Sequence, residues 1–202
     1  MARPPLYDDA LRARLVDAAT TAIEQHGPDA LALRDVARAA ATSTSAVYAL
    51  FGGKAQLIAG VLDAGFASFG DAQRAAAPRG LRALGVAYRE WALAHPALYR
   101  MMFSTQAPSP GRMDEAVDVG VSSTSPDPSE LAMQPLQEAI AAAQAAGSLA
   151  DVPLEVAATA IWGQVHGVVS LELAGLGPGA LDWDAAYATV LDTITRSWSP
   201  GG

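Results

Sequence analysis

The fold class the sequence predicts is all-α, and three observations predict it. Apolar residues recur at helical spacing along most of the chain. Glycine and proline breaks, at Gly27-Pro28, Gly52-Gly53 and Gly147, cut that pattern into separate runs. No stretch alternates apolar and polar residues as a half-buried strand would, and there is neither a repeat period nor a glycine-rich phosphate loop. With 202 residues, 51% hydrophobic and 17% charged, the chain can bury a core. A domain of this size hides roughly 70% of its unfolded surface, which excludes disorder as the whole state.

Each element follows from its own spacing. Leu11, Leu15, Ala18, Ala22 and Ile23 define a first helix that stops at Gly27-Pro28. A short second helix covers Leu33 to Ala40, and the polar run Thr42-Ser43-Thr44-Ser45 separates it from a third. In that third helix Val47, Leu50 and Phe51 share one side. After Gly52-Gly53, the residues Leu57, Ile58, Val61, Leu62 and Phe66 mark a longer fourth helix reaching about Ala75. A fifth is expected from Leu81 to Ala94. Pro96 then opens a sixth, PALYRMMF, at a position where its missing N–H costs little.

Residues Ser104 to Asp127 hold Pro108, Pro110 and Pro126 among serines and glycines, with Pro128 next. They read as a long mobile loop, either partly disordered or carrying a short helix near Met113 to Val119. A seventh helix is expected from Glu130 to Ala146, an eighth from Leu154 to Ala174 and a ninth from Trp183 to Trp198.

Charge separates the chain into two parts. Residues 1–60 carry six basic and six acidic groups, so the net charge of −8 arises beyond residue 60. The first part can approach a polyanion without long-range repulsion, whereas the rest is pushed away from one. There is no cysteine, hence no disulfide framework and no thiolate chemistry. The opening MARPPLYDD lacks the apolar run of a secretory leader. The longest uncharged stretch, Val156 to Leu171, falls short of the ~20 apolar residues of a membrane span. A cytoplasmic protein with a buried eighth helix is expected.

The second and third helices, joined by a tight turn and packed on the first, form the arrangement by which a small domain lays one helix in the DNA major groove. Leu33, Val36, Ala37 and Ala40 supply the apolar stripe that fixes the angle of the third helix. Val47 and Phe51 anchor that helix, while Thr44 and Ser45 offer small polar side chains to base edges. Lys54 stands beside Gly53 at the start of the fourth helix, where free N–H groups and the helix dipole favour a phosphate. Arg34 is either a further phosphate contact or an ordinary exposed charge. Taken by itself, Tyr48 reads as a half-buried packing aromatic with an apolar body and a wet tip.

Leu11 to Leu62 resembles the DNA-binding domain of the TetR family of transcriptional regulators. The resemblance is carried by LVDAATTAIEQHG, by LRDVARAA, and by Val47-Tyr48 with Phe51, Lys54 and Leu57 at F-x-x-K-x-x-L spacing. It implies that the helix near Thr44 to Leu50 is the recognition helix, that the Tyr48 hydroxyl donates to a phosphate and that Lys54 contacts the backbone. The expected contact set to double-stranded operator DNA is Arg34, Thr42, Ser43, Thr44, Ser45, Tyr48 and Lys54.

Three departures from the family pattern stand out. Ala41 replaces the usual turn glycine, at a cost on the order of 1 kcal/mol if it is left-handed, which would alter the turn. Leu31 and Ala32 replace the usual capping Thr or Ser, so a cap worth roughly 1 kcal/mol is missing unless Asp29 or Asp35 substitutes. Thr42 and Thr44 stand where an apolar and a basic residue are common.

The remainder resembles the WHG subgroup of TetR C-terminal domains, through HPALYRMMF and WGQVHGVVSLEL. That resemblance implies pairing of the last two helices with those of a second subunit. Gly163 and Gly167 leave a notch for close helix approach, and Ile161, Val165, Val168, Val169, Leu171 and Leu173 leave little room for a solvent face. The expected dimer residues are Gly163, Gly167, Val168, Leu171, Tyr187, Leu191 and Ile194. Trp91, Tyr99, Met102, Phe103, Met133 and Trp162 either line an effector cavity or are core. His166 is a ligand contact or, more in keeping with its apolar helix, a satisfied core residue.

No carboxylate pair, metal-spaced histidine cluster or Ser/His/Asp set can be assembled, since His26 and His95 have no motif partner. No enzyme, metal or cofactor is expected. The expected domains are residues 1–55 for DNA and 56–202 for ligand binding and dimerisation. The expected function is a homodimeric repressor released from its operator by a small, mainly apolar effector. The rival is an all-α ligand carrier or interaction module with a degenerate DNA-binding unit.

Overall fold

In the computed structural model, which describes residues 9–103 and 128–199, nine α-helices and no strand occur among the described residues. They are α1 (Asp9–His26), α2 (Leu33–Ala39), α3 (Thr44–Phe51), α4 (Lys54–Ala76), α5 (Leu81–Ala94), α6 (Pro96–Phe103), α7 (Pro128–Ala145), α8 (Leu154–Leu173) and α9 (Trp183–Ser197). A 3-10 turn, Ala77–Arg79, links α4 to α5. The expected all-α class is therefore correct and the helix ends fall close to those read from the sequence. The loop expected at 104–127, with its optional helix near Met113 to Val119, lies outside the described residues. No single helix among the described residues is long and apolar enough to cross a membrane.

The chain forms two compact units that are not consecutive stretches. Unit one holds the described residues up to Phe66 together with α6, and unit two holds 67–94 and the residues from 129 onward. In unit one, α1 buries Leu11, Leu15, Ala19 and Ile23 at helical spacing, and α2 and α3 add Val36, Ala37, Ala46, Val47 and Phe51. The start of α4 contributes Leu57, Val61 and Leu62. Helix α6 is held by a carboxylate of α1. Glu24 Oε2 accepts from the Ala97 N–H and Oε1 from the Leu98 N–H, each at 3.1 Å, so a distant side chain satisfies two free donors of the first turn.

In unit two the core is built from Phe69 of α4, Leu84 and Tyr88 of α5, Ile140 of α7, Ile161, Val165 and Val169 of α8, and Leu191 and Ile194 of α9. Polar side chains fix the angles of these helices. Arg89 on α5 makes two parallel bonds to Glu172 on α8, Nε to Oε2 at 2.7 Å and Nη2 to Oε1 at 2.6 Å. Its Nη1 reaches Asp184 on α9 at 2.7 Å. These bonds, first of all the one to Glu172, push the guanidinium pKa up despite its partial burial. Gly85 lets α9 approach α5. A Cβ there would collide with the Leu191 side chain, and the Tyr187 hydroxyl donates to the Gly85 carbonyl at 2.6 Å. Helix α9 opens on Asp182, whose carboxylate accepts from the N–H groups of Asp184 and Ala185 at 3.0 Å.

Candidate functional site

In unit one the turn between α2 and α3 closes by a defined hydrogen-bond pattern. The Thr42 N–H donates to the Ala37 carbonyl at 2.8 Å and the Ala41 N–H to that of Arg38 at 3.1 Å, with Ala41 left-handed at φ 53. This is the closure that normally recruits glycine, so Ala41 holds a strained conformation there. Ser43 is the N-cap of α3, its Oγ accepting from the Ala46 N–H at 3.3 Å. Helix α2 lacks such a cap at Ala32, as the sequence suggested. Asp35 does not substitute for it and instead pairs with Arg38 at 3.0 Å.

Helix α3 buries Ala46, Val47 and Phe51 and turns Ser45 and Tyr48 outward, with Thr44 half-buried at its start. Tyr48 is 58% exposed. The Arg34 side chain is 81% exposed and 4.0 Å from Asp35. Lys54 begins α4, and its ammonium donates to the Asp29 carbonyl at 3.3 Å. One contributor escaped the sequence reading. Arg12 of α1 donates from Nη1 to the Leu50 carbonyl at 2.9 Å and lies 4.4 Å over the Phe51 ring, tying the C-terminal end of α3 to α1.

Unit two encloses a cavity of about 560 Å³, within the range of small-molecule sites. Phe69, Leu84, Tyr88, Met133, Leu136 and Trp162 are among the side chains that wall it. Trp162 Nε1 donates to the Tyr88 oxygen at 3.3 Å, and that oxygen lies 2.8 Å from His166 Nδ1. Burial pushes the His166 pKa down, which favours a neutral ring able to accept the tyrosine proton at Nδ1.

Of the effector residues expected from sequence, Met133 and Trp162 line this cavity. Three others belong to unit one: Tyr99 and Phe103 pack ring to ring at 4.9 Å, and Met102 is buried there beside Gly65. Trp91 is buried against Phe69 at 5.4 Å and its indole donates to Ser68. His166 buttresses Tyr88 from behind the lining. The sequence reading missed Tyr88 and Gln73, although a glutamine in register with Phe66, Phe69 and Ala76 on α4 is a signal in itself, since that stripe is otherwise apolar.

A family model described as "Tetracyclin repressor-like, C-terminal domain" matches residues 81–194, more than half of the chain, and one described as "Bacterial regulatory proteins, tetR family" matches residues 15–61. The chain belongs to the TetR family. No curated protein matches it. Among solved structures it is similar to a protein with unknown function from Rhodococcus sp. RHA1, at 24% identity and TM-score 0.76, covering 98% of this chain and 100% of that one. It is also similar in fold to the fatty acid degradation regulator FadR from Bacillus halodurans, at 15% identity and TM-score 0.69, over 93% and 96% of the two chains. RolR, in complex with its ligand resorcinol, gives 16% identity and TM-score 0.63, over 95% and 88%.

Within this TetR-family chain the expected dimer residues divide. Side chains added at Gly163 and Gly167 would meet nothing within 4 Å, Leu171 is 47% exposed and Val168 is half-buried, so this face of α8 is open. Tyr187, Leu191 and Ile194 are not on a free surface. They are buried in the chain's own core, because α9 turns its apolar stripe onto α5 and the cavity.

Proposed function

We propose that this TetR-family protein is a cytoplasmic, homodimeric repressor, with residues 1–55 as its DNA-binding part and 56–202 as its effector-binding and dimerisation part. The observation that carries the reading is the outward Ser45–Tyr48 face of α3 above the buried Ala46, Val47 and Phe51. A capped helix with a rigid apolar underside and small polar residues on top is what base-edge recognition requires. The rival reading of a degenerate DNA-binding unit draws on the departures at Ala41, Leu31 and Thr44. The turn nonetheless keeps its hydrogen bonds and α3 keeps its own cap, which supports the regulator.

The second copy pairs through the open α8 face at Gly163, Gly167 and Leu171, and the WHG-type character of the C-terminal part belongs to the same reading. Two α3 helices then enter successive major grooves about one helical turn apart, ~34–36 Å. The effector is a small, mainly apolar molecule in the cavity of unit two, an occupant consistent with the resorcinol held by RolR. Phe69 and Gln73 of α4 line that cavity, and the same helix begins at Lys54. An effector that binds the DNA-incompetent arrangement more tightly moves α4 and releases the operator.

The test is retention of genomic DNA fragments by the purified protein in dilute buffer. Wild type retains a discrete set. Lys54→Ala weakens binding to every member and lowers the slope of log affinity against log salt by about one. Thr44→Ala changes which fragments are kept. Absence of retention by the wild type contradicts the reading.

A further inference from the structure

Gln73 is 5% exposed, and its side-chain Nε2 has no hydrogen-bond partner. It projects from α4 into the lining of the unit-two cavity. A buried amide donor left unmet is costly, and native structures carry few of them. Apart from Arg79, which is exposed to solvent, the other polar side chains around the lining are engaged within the protein. Trp162 and Tyr88 bond in series to His166, Ser148 Oγ donates to the Ala143 carbonyl, Thr195 Oγ1 donates to the Leu191 carbonyl, and Arg82 pairs with Asp192. Among the described residues, Gln73 is thus the buried polar side chain of the lining whose capacity awaits a partner from outside the chain.

The charge of the lining restricts that partner. Among the described residues its charged side chains are Arg79 and Arg82, with no Asp or Glu. The aromatic faces can attract a cation but the two arginines oppose one, whereas an oxygen acceptor meets the unpaired amide donor of Gln73. The walls beside Gln73 are Phe69, Tyr88 and Trp162, flat apolar surfaces that suit a ring system.

We infer that the cavity takes a mainly apolar, ring-bearing molecule with a hydrogen-bond-accepting oxygen, and that Gln73 is the specificity residue that holds this oxygen. The inference rests on the regulator reading of the cavity and adds the polar handle to it.

Four probes built on one ring system test it by calorimetric titration: naphthalene, 2-acetylnaphthalene, 2-naphthoate and 2-naphthylmethylammonium. Wild type binds the ketone and the carboxylate about tenfold more tightly than naphthalene, the gain expected when a buried donor is met, and binds the ammonium most weakly. Gln73→Leu keeps the volume and removes the amide. It still binds naphthalene, and the preference for the oxygen-bearing probes disappears. Equal wild-type affinities for naphthalene and 2-acetylnaphthalene overturn the inference, as does a Leu variant that keeps the preference or a wild type that favours the ammonium. The wild-type series decides even if the variant does not fold. If naphthalene binds as tightly as the ketone and still releases retained DNA, the Gln73 assignment falls while the regulator reading stands. Binding of none of the four overturns the cavity reading and this inference together.

Discussion

Ala41 holds a left-handed φ of 53 where the α2–α3 turn reverses, a conformation in which its Cβ crowds the backbone. Ala41→Gly should raise unfolding free energy by up to about 1 kcal/mol, since relief of strain outweighs the extra freedom glycine loses on folding. Chemical denaturation checks this, and an unchanged or lower midpoint would show the turn to be relaxed. His166 gives a pH dependence whose sign is fixed. Burial lowers its pKa below the ordinary 6.5, so the unfolded chain binds the proton more readily than the native one. Stability is full above about pH 6.5 and declines as the pH falls below it. His166→Gln should flatten that decline in thermal melts run across this range. The residue-level content of the sequence was uneven. Ser45 and Tyr48 could be placed from a short local pattern, but Tyr88 and Gln73 owe their importance to a cavity walled by α4, α5, α7, α8 and α9, which no local pattern describes.

At the scale of elements, periodicity and glycine breaks sufficed to place the nine helices of the described residues, because apolar stripes mark them and several, such as α1 at Gly27 and α3 at Gly52, stop at a left-handed glycine. The contacts that fix helix angles were hidden. Arg89 and Glu172 lie 83 residues apart, and nothing in either neighbourhood distinguishes them from solvated charges. In the folded chain their side chains are 16% and 12% exposed. Arg89→Ala leaves the Glu172 carboxylate without its partner in a poorly solvated place and should cost about 3 kcal/mol. A loss below about 1 kcal/mol would mean that water replaces the guanidinium. The error over α9 has the same origin. A stripe of Tyr187, Leu191 and Ile194 looks identical whether a neighbouring helix or a second subunit covers it, and Gly85, the notch that admits α9, reads in isolation only as a weak helix former.

For the whole molecule, two copies presenting two α3 helices at a fixed separation are what the proposal requires. Gly167 sits in open space within one chain and leucine is the better helix former, so Gly167→Leu should not lower the melting temperature of the isolated subunit while filling the notch through which a second α8 approaches. Sedimentation should then show a dimer for wild type and a monomer for the variant. The most direct measurement is a hydroxyl-radical footprint on a retained DNA fragment. The wild-type protein is expected to protect two patches related by a two-fold axis and centred about one helical turn, ~34–36 Å, apart, and Gly167→Leu to lose the pair. A single protected patch, or none at protein concentrations that saturate the fragment, would contradict the account.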